Sequence, residues 1–547
     1  YKDKRFVGTI ATLLDGGTKN GFFGLNTGSD MQNYVDVLTN FNKNFGEDWG
    51  LAANVGASLS DQKNDILYNQ GPLRDDGLPN IFNIQNIEQS AHKSQFYQEG
   101  WHEQTQSIFG SVEVNWKRLL YLTVTGRNDW ASQLAGSKNK SFFYPSVGLT
   151  GIITDMLSES VKNSLYNTLS FAKVRLAFAQ VASPFKRELT IPMNTFNQAD
   201  KKWVKEGYYP LKDLKPERTN SFEVGLTTKW LKNKLNFDIT YYRTNTKNQT
   251  IRATMSASSG YNYTYVQTGN VQNQGVEIAL GGTVEIGKNF TWNTGFTYGY
   301  NKNEIKELVK NVRNPQNPAE PLFKEDELLK DNFGNAQIIL RPGGTLGDIY
   351  AKTDFVRDAN GNIDISQDLK PRDKYMKLGS ILPDANLGWR NDFSYKQLSF
   401  GFMLSARLGG IVISGTQAAM DYSGVSKVTA DARNAGGVPV GGGIVVPAQK
   451  YYQLQGRPKD YLTQYYTYNA TNLRLREAYI AFNIPRKWLG NVVDLNISLT
   501  GKNLWMIYNK APFDPETIAS TGNYAQGIDY FMLPSTRSFG FSIKARF

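Results

Sequence analysis

From Ser538 to Phe547 the chain alternates without a break. Phe539, Phe541, Ile543, Ala545 and Phe547 are apolar, and the residues between them are small or polar. A period of two is the signature of a β-strand with one greasy and one wet face. The same pattern recurs through the chain. Trp49, Leu51, Ala53, Val55, Ala57 and Leu59 alternate with small or polar neighbours, and Ile108, Val112, Val114 and Trp116 do so against Ser111, Glu113 and Asn115. Paired runs follow at Phe222–Leu226 with Leu235–Tyr241, Val276–Leu280 with Phe290–Tyr298, Leu387–Trp389 with Leu398–Leu404, and Ala478–Phe482 with Val493–Leu499. The count is roughly fifteen strands of about ten residues, the length that crosses a bilayer when tilted.

The connections come in two kinds. Within each pair the turn is short, as at Lys117-Arg118-Leu119 or Gly287-Lys288-Asn289. Between pairs the connections are long: 61–104, 182–215, 245–271, 302–383, 409–472 and 503–536, all rich in Gly, Asn, Pro, Tyr and charge. Long loops on one side and tight turns on the other suit an all-β transmembrane antiparallel barrel, with short periplasmic turns and long extracellular loops. Phe539, Phe541, Ile543 and Phe547 then belong to the barrel-closing strand and face lipid. Glu113, Asn115, Glu223, Asp238, Glu277, Asn293 and Asp494 fall on the opposite face, so the interior is expected to be polar and too wide for side chains to fill.

Composition supports this and removes alternatives. Mean hydropathy is −0.45, and no stretch approaches the roughly 18 apolar residues of a spanning helix. Alternating strands average to such a value, so a barrel is compatible with it. With 61 basic and 49 acidic residues the net charge is +12. These charges scatter through loops rather than forming one stripe, which argues against nucleic acid and for solvation or anionic lipid headgroups. There is no cysteine, and the two histidines, His92 and His102, lack the spacing of a zinc motif. No Ser-His-Asp elbow, phosphate loop or metal cluster is present, so no enzyme is expected. The chain opens on Tyr1 with no leader in view, and the expectation is a processed chain or a fragment.

Several stretches carry a resemblance. They are Tyr121 to Trp130 (YLTVTGRNDW), Phe142 to Leu149 (FFYPSVGL), Leu214 to Leu226 (LKPERTNSFEVGL), Gly269 to Ile278 (GNVQNQGVEI), Gly343 to Tyr350, Leu473 to Trp488 and Leu499 to Leu504 (LTGKNL). Together they resemble the SusC/RagA class of TonB-dependent outer-membrane transporters of Bacteroidetes-type bacteria, from about residue 100 to the end. The resemblance implies a barrel of about 22 strands in the full protein, with an amino-terminal plug and a short TonB-contacting box. Neither is recognised here, so residues 1–547 are expected to be the carboxy-terminal part of that barrel. It also implies active import of a bulky nutrient, an oligosaccharide or glycan in the first instance. TonB would supply the energy through the missing part, and a SusD-like surface lipoprotein would act as a lid. A peptide importer of the same class, or a passive porin or adhesin, are the alternatives.

Aromatic residues are 13% of the chain, and some stand out as cargo candidates. They are Trp101, Trp203, Tyr261, Tyr263 and Tyr265, and the cluster Tyr465, Tyr466 and Tyr468. Rings of this kind stack on sugar faces, but they equally form interfacial girdles or pack loops. Asp358, Asn360, Asn362 and Asp364 alternate as in a calcium loop, without its sixth-position glycine or its terminal glutamate. The Asn360-Gly361 pair alone accounts for a tight turn there. Calcium is the one cofactor candidate.

Overall fold

The computed structural model describes residues 2–8, 20–78, 81–90, 94–191, 194–197, 201–204, 207–210, 214–254, 261–309, 319, 326–333, 336–458, 460–519 and 527–547. Among these, one sheet of 17 strands dominates. One member, Tyr208–Tyr209, is a two-residue parallel addition on Tyr263–Thr264 at the rim. The other sixteen are β1 (Lys2–Gly8), β2 (Phe22–Phe45), β3 (Trp49–Pro72), β4 (Gln95–Trp116), β5 (Leu120–Ala131), β6 (Phe142–Ile152), β7 (Leu169–Ser183), β8 (Glu217–Trp230), β9 (Leu235–Thr254), β10 (Tyr263–Ile286), β11 (Phe290–Glu307), β12 (Ala385–Tyr395), β13 (Leu398–Leu408), β14 (Asn472–Ile484), β15 (Asp494–Asn509) and β16 (Ser538–Arg546). Each pairs antiparallel with the next in chain order. This up-and-down wall satisfies every interior strand's backbone groups on both sides, as hydrocarbon demands.

The register sorts the side chains. Phe541 faces Leu499, which faces Ile480, which faces Phe400, so one row of apolar residues crosses β16 to β13. Val124, Val147, Phe178 and Phe222 form a second such row from β5 to β8. These residues meet no second protein layer: Leu499 remains 55% exposed and Phe539 81%. They form an outward apolar band. The alternate positions carry Ser498 opposite Ser542 and Thr227 opposite Asp238, and they face the interior.

The short turns hold as expected at 117–119, 231–234, 287–289 and 396–397, and a further one joins β2 to β3 at 46–48. Gly46 and Gly287 take φ of 65° and 61°, the left-handed conformation that tight hairpins require. The connection 153–168 departs from this pattern, because it holds the helix Glu159–Leu165 on the side of the short turns. Its run of Ser, Glu, Val and Lys lacks the alternation that would have extended either strand.

Two expected loops are in large part strand. Residues 61–104 lie mostly in β3 and β4, paired from Asp61–Gln104 up to Gln70–Gln95. Residues 245–271 lie mostly in β9 and β10, and β11 continues to Glu307. The 24 residues of β3 span about 80 Å at about 3.3 Å each. That far exceeds a hydrocarbon core of about 30 Å, so these hairpins stand well out of the membrane. The polar run Gln62-Lys63-Asn64-Asp65 carries no apolar alternation, because neither of its faces meets lipid. Strand β2 adds to the wall from Phe22 to Phe45, with Val35, Val37 and Phe41 in register with Leu59, Ala57 and Ala53 of β3.

The remaining long connections are folded. Residues 308–384 contain a four-stranded antiparallel sheet, Leu328–Phe333, Ala336–Leu340, Asp348–Asp354 and Lys370–Ser380. Residues 409–471 contain the helices Gly415–Tyr422, Lys427–Asn434 and Ala448–Gln455.

The two faces of β16 make opposite demands. Phe541→Arg is expected to cost about 2–4 kcal/mol of barrel stability, as a charge placed on the lipid face. Ser542→Arg, one residue along and inward, is expected to stay within about 1 kcal/mol. Refolding titrations into lipid vesicles measure both, and equal losses would overturn the assignment of faces.

Candidate functional site

The interior wall is built from hydrogen-bonded polar side chains. On β7 to β9, the Arg175 guanidinium donates to Asp238 at 3.2 Å, to Thr227 at 2.8 Å and to Thr240 at 3.1 Å. On β12 and β14, Arg390 and Tyr479 both donate to Asp392 at 2.8 Å. On β4 to β6, Asp129 accepts from Arg127 at 2.7 Å and from Tyr144 at 2.8 Å, and Arg127 also reaches Ser107 at 2.7 Å. Beside this group lies a cleft of about 430 Å³, lined by Asn54, Phe109, Ser111, Arg127, Tyr144 and Ser146 among others. Such a wall offers donors and acceptors while its charges are already paired, which suits a hydrated neutral solute.

Above the wall, the extracellular connections share one core. Val266, Val271 and Ile305 at the barrel rim pack with Ile338, Leu340 and Ile349 of the four-stranded sheet, and with Ile413, Ala418, Tyr461 and Tyr466 of the helical connection. Ile411–Ser414 pairs with Thr467–Asn469 and, in parallel, with Ile528–Asp529, so the connection 510–537 joins the same unit. Ser414 donates to Asp529 at 2.6 Å. Inside the four-stranded sheet, Asp348 is fully buried and is held by Thr345 at 2.6 Å and by Lys377 at 2.5 Å. Burial pushes the Tyr461 hydroxyl up to about 12, and it raises Tyr451 and Tyr466 as well.

The cargo candidates fall into different settings. Trp203 lies on the short hairpin strand Lys202–Val204, is 70% exposed, and meets Phe196 edge-on at 5.3 Å. Trp101 is on β4 rather than in a loop, and the Arg187 guanidinium lies 4.4 Å over its ring while donating to Glu103 at 2.7 Å. Tyr263 and Tyr265 are on β10, also not in a loop. With Tyr208 they form a trio of ring contacts of 5.7 to 6.0 Å, and Tyr209 and Tyr261 form a separate pair at 5.2 Å. Tyr265 packs against the loop core of Leu134, Phe142 and Phe185, so this cluster braces the wall against the connection after β7. Tyr466 is 1% exposed in the shared loop core, out of reach of a solute in this arrangement. Tyr468 meets Phe513 edge-on at 5.6 Å.

Tyr465 keeps an exposed edge, 36% accessible, in a mixed polar setting. Its ring meets Phe355 edge-on at 5.6 Å, and its hydroxyl lies 3.4 Å from Arg357 and 3.5 Å from Asp354. Gln464 also donates to Asp354 at 3.2 Å. An exposed ring flanked by an amide, a carboxylate and a guanidinium is the kind of surface a polyhydroxylated solute fits. Asp354 and Arg357 lie more than a hundred residues from Tyr465, so sequence spacing gave no sign of them.

The stretch Asp358 to Asp364 forms a turn. Asp358 accepts from the backbone N–H groups of Asn360 and Asn362 and from the Asn362 side chain, all at 2.9 Å. Asp364 accepts from Ser366 and Gln367. The hydrogen bond from Asn362, first among these, holds the Asp358 carboxyl below its ordinary value. Both carboxylates are thus engaged by their own loop, which is a poor fit to a cation cage. Among the described residues no group of three or more His, Cys, Asp or Glu is disposed to hold a metal ion. His102 pairs with Asp61 at 2.7 Å, while His92 lies outside the described residues.

Residues 7–402 match the family described as TonB dependent receptor-like, beta-barrel. The chain belongs to that family. TonB-dependent receptor P3 of Formosa agariphila is 23% identical over 475 residues, 81% of this chain and 45% of that protein. TonB-dependent receptor SusC of Bacteroides thetaiotaomicron is 22% identical over 358 residues, 61% of this chain and 32% of that protein. The RagAB peptide importer in its open-open state superposes with a TM-score of 0.75 at 17% identity, over 96% of this chain and 56% of that one. At that identity the likeness is one of fold. The chain spans about half the length of the curated relatives it matches. It is an outer-membrane β-barrel of the TonB-dependent receptor family, and SusC and RagA are among the proteins it resembles.

The connection 510–537 is tied to the TonB-receptor barrel by a buried ion pair. Arg474 on β14 donates to both Asp514 oxygens, at 2.6 and 3.2 Å, with side chains 6% and 14% exposed. Burial by itself would raise the Asp514 carboxyl. Arg474, the Glu516 backbone N–H and Ser535 outweigh it and hold the group below its ordinary value. A depressed pKa contributes stability that is present above about 3.9 and is lost as pH falls through the lower folded value. Asp514→Asn leaves the buried Arg474 with only Glu516, at 3.5 Å, to balance its charge, at a cost below the roughly 3–5 kcal/mol of a fully unpaired buried charge. Limited proteolysis of residues 510–537 at neutral pH is expected to be rapid in the variant and slow in the parent. Equal rates would show that the pair does not secure the loop.

Proposed function

We propose that the whole protein imports a bulky oligosaccharide across the outer membrane. TonB drives the step, and a SusD-like surface lipoprotein covers the extracellular mouth. The residues preceding this segment supply the plug, the TonB-contacting box and the remaining strands. The observation that supports this reading is a polar, hydrogen-bonding interior wall beneath a folded loop cap that leaves Trp203 and Tyr465 exposed. Sugar rings stack on such side chains through their C–H faces, while amides and carboxylates take the hydroxyls.

Calorimetric titration of the full-length receptor with its lipoprotein, against a panel of oligosaccharides and peptides, tests the proposal. Sub-millimolar binding of one oligosaccharide class is expected. Trp203→Ala and Tyr465→Ala are each expected to weaken it by about 1 kcal/mol, the loss of one ring contact. Binding confined to peptides would transfer the reading to a peptide importer of the same class. Flat isotherms across the panel would overturn import.

A further inference from the structure

The outer face of β8 to β11 changes character abruptly above its apolar band. The ladder places outward residues in cross-strand rows. Leu226, Ile239, Ile278 and Tyr298 form one row, and Val224, Tyr241, Val276 and Tyr300 form the next. Tyr241 and Tyr300 are both exposed, as girdle tyrosines at an interface are. The row above reads Phe222, Arg243, Gln274 and Lys302. The rows after that hold Asn220, Asn245, Gln272 and Glu304, then Arg218, Lys247 and Asn270. One row is two residues, about 7 Å of strand. Cations therefore begin one step beyond the aromatic girdle, on the side that faces lipid.

We propose that this patch binds the phosphate groups of an anionic lipid headgroup in the outer leaflet. Arg218, Arg243, Lys247, Lys302 and Lys306 supply five positive charges, against the carboxylates of Glu304 and Glu307. Glu304 is already held by Lys306 at 2.6 Å and by Lys302 at 3.4 Å. Among the described residues Arg218, Arg243 and Lys247 face no carboxylate partner, and Arg243 and Lys247 are exposed. Their neighbours form an amide network: Gln180 donates to Asn220 at 2.8 Å and Asn245 to Asn270 at 2.8 Å, while Arg218 donates to Gln180. Amides hold the guanidinium and ammonium groups in place without neutralising them. The charge is also confined to one sector. On β3 and β4, the outward residues beyond the apolar alternation are Asp61, Lys63, Asp65 and His102, with more acid than lysine. General solvation would not put five cations on three of four adjacent strands and favour acids on β3 and β4. A phosphate-bearing headgroup, its acyl chains against the band below, matches both the charge and the height.

Native mass spectrometry of the full-length receptor, equilibrated with phosphatidylglycerol or phosphatidylcholine in neutral detergent micelles, reads this directly. The parent is expected to retain several-fold more phosphatidylglycerol, and to lose the excess in about 1 M salt, where screening reaches about 3 Å. The triple variant Arg218→Gln, Arg243→Gln, Lys247→Gln is expected to lose that several-fold excess altogether, since three cations at roughly fivefold each near an anionic surface more than account for it. Lys63→Gln, in the acidic sector, is expected to match the parent. If the triple variant does not fold, Arg243→Gln against Arg243→Lys makes the comparison, and only the second should bind as the parent does. Three results would each overturn the proposal. They are equal retention of the two lipids by the parent, equal retention by charge-removing variant and parent, and displacement of the lipid by inorganic phosphate, which would mark a free-anion site.

Discussion

A backbone amide left without a partner in hydrocarbon costs several kcal/mol, and this penalty governs the whole architecture. A strand can cross a membrane only if a neighbour on each side takes up its N–H and C=O groups. Sixteen strands therefore run antiparallel in chain order, each laddered to the next. Once the ladder is set, the pleat leaves side chains only two directions. One set meets lipid, as Leu499 and Phe541 do, and the other meets the interior, as Ser498 and Ser542 do. The polar interior and the apolar exterior are thus two consequences of one hydrogen-bonding requirement.

Beyond the membrane that requirement relaxes, and the chain uses the freedom in two ways. Around β3 and β4 it continues the ladder into water with polar side chains on both faces. After β11, β13 and β15 it builds a separate small fold, with its own apolar core around Ile338, Ile413 and Tyr466. Buried polar groups within that fold are paired: Asp348 with Lys377 and Thr345, Ser414 with Asp529, Arg474 with Asp514. The core draws side chains from two connections and from the barrel rim, and the third connection joins through the parallel pairing at Ile528–Asp529, so the three form one unit rather than independent loops. Tyr465 keeps an exposed edge on this unit and Trp203 is exposed on a separate hairpin, while the wall stays hydrophilic. The family's membrane location follows from the wall, and a choice of cargo would be made in the cap.

The sequence determined the wall, and it did so wherever lipid touches the chain. Period-two alternation is enforced by a medium that accepts only apolar side chains on one face, so the apolar rows, the tight turns and the last strand are legible from residue order. Where both faces meet water, as in Gln62-Lys63-Asn64-Asp65, nothing enforces alternation and strand was mistaken for loop. The cap lay further out of reach. Tyr466 and Tyr465 are adjacent and chemically identical, yet one is sealed in a core and the other edges into solvent beside Asp354 and Arg357. That difference is made by partners more than a hundred residues away. The outward cations of β8 to β11 show the same division: each is visible in the sequence, but only the strand register places Arg218, Arg243, Lys247 and Lys302 on one face. Local patterning answers to the medium around a strand, whereas the composition of a site answers to long-range packing, and only the tertiary structure carries that information.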